Sequence, residues 1–131
     1  MRAGELTGTR QELADWSHPV IVDFMYELYA ARIGAGHQSL RALALSHARL
    51  WRFLILADHD RLPSARRETL SIARLAGLRP NMLDEVDQAM LAELMDVVVS
   101  RFLRSPAMAR TYSQIVLGVA SRLAALSPAV A

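Results

Sequence analysis

Apolar residues recur along this chain at the three-and-four spacing of an amphipathic helix, and no stretch of useful length alternates with period two. Val20, Ile21, Phe24, Met25, Leu28, Tyr29 and Ile33 form one stripe, which predicts a helix of about four turns. Ser17 is placed to cap it, and Pro19 falls in its first turn, where a missing N–H does no harm. Ahead of it, Thr9 and Glu12 have capping-box spacing, so a short separate helix is expected over Arg10–Trp16, after a loose segment at residues 1–8. Gly34-Ala35-Gly36 closes the longer helix.

A second helix is expected over Ser39–Ala57, with Leu40, Leu43, Leu50, Phe53 and Leu54 as its apolar residues. Asp58-His59-Asp60 and Pro63 break the pattern. Ser64 then reads as the cap of a helix to Ala76, with Leu70, Ile72 and Leu75 inside and Arg66, Arg67 and Arg74 outside. Gly77 suits the position after a helix, where a positive φ is cheap only for glycine, and Pro80 prevents continuation. Asn81 can cap a fourth helix reaching about Arg104, whose apolar residues occupy more than one face. Ser105-Pro106 has the form of an N-cap followed by N1, opening a last helix to Leu126. The pattern predicts an all-α single domain over residues 1–131, with five to six helices.

Composition adds a surplus. Of the 131 residues, 53% are apolar, yet no uncharged apolar run approaches the roughly 20 residues that a membrane span needs. An association surface is the natural place for the excess. Cysteine is absent, which excludes disulfides, thiolate metal sites and a thiol nucleophile. All fifteen basic residues are arginine, and thirteen acids interspersed with them leave a net charge of +2, too little to point to nucleic acid. The N-terminus has no apolar export segment, so a cytoplasmic location is expected.

The chemistry-bearing residues do not assemble into a catalytic or metal-binding set. His18, His37, His47 and His59 lack the spacing that brings two ligands to one face. No serine sits in a Gly-x-Ser-x-Gly elbow, and Gly34-Ala35-Gly36 follows a helix rather than the strand that a phosphate loop requires. Arg61, Arg66, Arg67, Arg74 and Arg79 form a basic cluster whose ordinary role is a solvated helix face. His47 lies inside a helix, where a satisfied, partly buried histidine is its ordinary role. Tyr26, His47 and Trp51 are the candidates for lining a pocket, and a non-catalytic protein is expected.

The order of Phe24 and Tyr26 on an early helix, Trp51 on the next, the break Gly77-Leu78-Arg79-Pro80-Asn81 and two long helices after it resembles the sensor-globin family, the N-terminal domains of globin-coupled sensors. The resemblance spans roughly Leu13 to Leu126 through short motifs. It implies a globin-like bundle whose last two helices pair with those of a second copy as a four-helix bundle, with Val86, Met90, Leu94, Val98, Tyr112, Val116 and Val119 at the interface. It also implies a regulatory role, with a signalling output domain fused or associated. The family's haem-ligating histidine corresponds here to Ala73, and the glycine that admits haem to Leu70. A haem-less member is therefore implied. The alternatives are a haem sensor using a non-standard histidine such as His47, and a helical domain binding an apolar ligand or a partner helix.

Overall fold

The structure, a computed structural model, describes residues 3–34 and 39–126. Five helices account for nearly all of them: α1 (Ala3–Ile33), α2 (Ser39–Leu56), α3 (Leu62–Leu75), α4 (Pro80–Arg101) and α5 (Pro106–Leu126). Among the described residues there is no strand. Helix α2 is the hub, packing on α1, α3 and α5, while α4 closes the bundle against α5, α1 and α3. Leu40, Leu43, Leu50, Trp51, Leu54 and Ile55 of α2 are all fully buried. His37 and the Ser127–Ala131 ending lie outside the described residues.

The boundary expected at Ser17 is absent. One helix runs from Ala3 through Pro19 to Ile33, taking in the short helix and much of the segment expected to be loose. Pro19 and Asp15 are both exposed, so water can take the place of the donor that proline denies the Asp15 carbonyl. Ser17, expected to open a helix, instead donates its hydroxyl to the Leu13 carbonyl at 2.6 Å, one turn back. Its hydroxyl is thus satisfied inside the core, where Ser17 is fully buried.

Helices α2 and α5 start as expected, at Ser39 and Pro106, while α3 and α4 start earlier for one reason: proline is read into the first turn rather than left before it. Pro63 belongs to the first turn of α3 after Arg61, so Ser64 is not its cap. Likewise Pro80 opens α4 after Arg79, and Asn81 is already helical. The stop at Gly77 is as expected. With φ at +82°, Gly77 donates to the Arg74 carbonyl and Leu78 to that of Ala73, at 3.0 and 2.9 Å, the paired bonds of a Schellman motif. The same motif ends α2, where Ala57 donates to Leu54 and Asp58 to Phe53. There the left-handed residue is Ala57, with φ at +58°, a conformation in which its Cβ crowds the following carbonyl.

On α3 the sides differ from expectation. Leu75 is 80% exposed and Arg66 is buried, because the inward stripe is Leu62, Ala65, Arg66, Thr69 and Ala73. A larger correction concerns α4 and α5. Val86, Met90, Leu94 and Val98 of α4, and Tyr112, Val116 and Val119 of α5, are all buried in the core of a single chain. They seal the bundle and cannot also meet a second copy. The outward apolar residues of this helix pair are others: Val99, Leu103, Met108 and Leu117.

Candidate functional site

Two charged residues sit on core-facing stripes and find each other. Asp87 falls in register with Leu83, Val86, Met90 and Leu94 on α4, and Arg66 with Leu62, Ala65 and Thr69 on α3. Arg66 Nη1 donates to Asp87 Oδ2 at 3.4 Å, and its Nη2 donates to Asp84 Oδ1 at 3.0 Å. From α2, Trp51 Nε1 donates to Asp87 Oδ1 at 2.7 Å, and His47 Nε2 meets the same oxygen at 2.6 Å. From α1, the Tyr29 hydroxyl meets His47 Nδ1 at 2.7 Å. One carboxylate therefore gathers groups from two other helices, α2 and α3, and reaches a third, α1, through His47. Beside it, Thr69 donates to the Ala65 carbonyl at 2.9 Å, leaving Ser46 as donor in its 3.1 Å contact with Thr69.

The protonation pattern follows from these contacts. Burial alone would push Asp87 upward, but His47, Trp51 and Arg66 overcome it and hold the carboxyl below its ordinary range. Burial raises Tyr29 strongly, and the charge of Asp87 adds to it, so the phenol keeps its proton. His47 bridges the two, with Nδ1 on the Tyr29 hydroxyl and Nε2 on the Asp87 carboxylate. Every polar atom of the imidazole then has a partner.

Tyr29, His47 and Asp87 have the order of a proton relay, but a relay serves a substrate only if one end can reach it. Tyr29 and His47 are completely buried. Asp87 alone borders a cleft, of about 300 Å³, with Leu91 of α4 and Ala120 of α5. The network ties α1, α2, α3 and α4 together.

The three residues expected to line a pocket are not brought together in one. His47 and Trp51 join the network, whereas Tyr26 lies on the outside of α1, 41% exposed. Both nitrogens of His47 are engaged, Trp51 is committed to Asp87, and Ala73 lies on the buried stripe of α3. Asp87 and the inward role of Arg66 escaped sequence reasoning. The signal was an acid and a base each standing where its helix's stripe called for an apolar residue.

An accessible feature lies elsewhere. A groove of about 550 Å³ runs between the end of α4 and the start of α5, walled by Val99, Phe102, Leu103, Pro106, Ala109 and Leu117. Leu103 and Leu117 are 74% and 60% exposed. Because the Asp87 cleft joins the start of α4 to the end of α5, the two helices run antiparallel and share one outer face. Of the charged residues on the two helices, Arg110 borders the groove and Asp84 the cleft, whereas Asp87 is buried in the network, Glu85 pairs with Arg32 of α1 and Arg122 bonds the Leu54 carbonyl. No protein-family model, curated protein or solved structure matches the chain.

Proposed function

We propose that the chain is a non-catalytic regulatory module, a haem-less relative of the sensor globins, that acts by pairing with a second copy through the outer face of α4 and α5. The observation that carries this reading is the open apolar groove at Val99, Leu103 and Leu117. Apolar surface of this kind, rimmed by polar residues, is what association buries. A second copy is the occupant this reading commits to, because a two-fold axis lays the same exposed apolar patch of one chain on that of the other. Transmission of a signal through these helices, a fused or associated output domain and a cytoplasmic setting belong to the same proposal, and rest on the sensor-globin resemblance.

The test is the oligomeric state. Light scattering on a sizing column should give a dimer for the native sequence and a monomer for Leu103→Glu with Leu117→Glu. Both positions are exposed in the single chain, so the double variant should remain helical. A native protein that stays monomeric as its concentration rises, or a double variant that still dimerises, overturns the reading.

A further inference from the structure

A second cavity, of about 380 Å³, lies where the first turn of α3 meets the last turns of α5. Leu62, Pro63, Ala125 and Leu126 supply apolar walls, and Arg122 and His59 supply polar ones, with no acid among the lining residues. We propose that this cavity binds a small carboxylate with a flat apolar body, the head on the Arg122 guanidinium and the body against the Leu62 and Pro63 side.

Arg122 is what distinguishes this cavity from a surface dent. Its Nε donates to the Leu54 carbonyl at 2.9 Å, near the end of α2. Its Nη2 is buried and has no hydrogen-bond partner, a costly state for a charged donor. Arg10 donates to the next carbonyl, that of Ile55, at 3.2 Å, so two like charges sit on neighbouring carbonyls. Neither arginine has a carboxylate partner among the described residues. Burial, and then the charge of Arg10, hold Arg122 below the ordinary guanidinium value. An anion in the cavity would offset the charge that Arg122 and Arg10 bring to this region, through a charge-assisted contact to the Arg122 guanidinium.

Gly118 fits the same purpose. A Cβ there would lie 3.4 Å from both terminal nitrogens of Arg122, at the near edge of ordinary contact. Glycine inside a helix gives up about 1 kcal/mol relative to alanine. What it provides here is room for the guanidinium to lie along α5. An apolar enclosure with a few placed polar groups is the usual form of a small-molecule site.

The site shares no residue with the groove at Leu103 and Leu117, so it stands or falls independently of the dimer. The probe is 2-naphthoate, with 2-naphthol (the same body without the carboxylate) and acetate (the head without the body) as comparisons, each titrated into the full chain by calorimetry. The expected result is saturable 2-naphthoate binding at one site per chain, at least tenfold tighter than either comparison. Arg122→Gln removes the charge and Gly118→Leu fills the cavity; each should weaken binding at least tenfold. If Arg122→Gln does not fold, Gly118→Leu and the three native titrations decide. The proposal is overturned if 2-naphthoate does not saturate, if 2-naphthol or acetate binds as tightly, or if a folded variant binds like the native chain.

Discussion

A carboxylate withdrawn from water destabilises a fold unless donors surround it, and Asp87 has them from His47, Trp51 and Arg66. Removing the carboxylate leaves Arg66 and the His47 N–H in the interior without it. Asp87→Ala should therefore cost about 3–5 kcal/mol, read as a fall in the urea midpoint at neutral pH. The native carboxyl is held below the ordinary value of about 3.9 that the unfolded chain retains. The stability from this difference is complete above the unfolded value and is lost as pH falls through the lower native one. Urea curves from pH 6 down to pH 3 should show that loss in the native chain and a shallower one in Asp87→Ala. At this scale the sequence was only partly legible. Arg66 was read as exposed because a charge on a helix usually is, and its burial goes with the acids that face it from α4, Asp84 and Asp87.

The elements themselves were well marked where a turn has its own chemistry and poorly marked where a breaker is tolerated. Gly77 announced the end of α3 because a left-handed residue there is nearly always glycine. Pro19 announced a boundary that does not exist, since a proline on an exposed face can sit inside a helix. Ala57 is the complementary case: it holds the left-handed position of a Schellman motif without the residue that suits it. Ala57→Gly should raise the stability of the fold by about 1 kcal/mol, and Gly77→Ala should lower it by a similar amount. Equilibrium urea unfolding, with an unchanged slope in both variants, is the measurement.

At the scale of the molecule, the two-faced pattern of α4 and α5 was visible in sequence, but the faces were assigned the wrong way round. Periodicity gives the angle between two stripes; only the packed bundle decides which stripe is inside. Leu94 and Leu103 lie at opposite ends of that distinction, one buried and one open to solvent. Leu94→Glu should unfold the chain, seen as a loss of helical circular dichroism, whereas Leu103→Glu with Leu117→Glu should leave the dichroism intact and act on the sizing profile alone. The position of Trp51 has an optical consequence. Its indole is sealed in the core with its N–H on a carboxylate, while Trp16 is only partly buried, with Arg101 stacked 4.8 Å from its ring centre. In a Trp16→Phe variant, Trp51 becomes the sole tryptophan emitter, and its fluorescence maximum should lie well to the blue of free indole. Replacing Asp87 in that background should shift the emission while the helices persist, so the chain carries its own fluorescent gauge of the contact that ties its helices together.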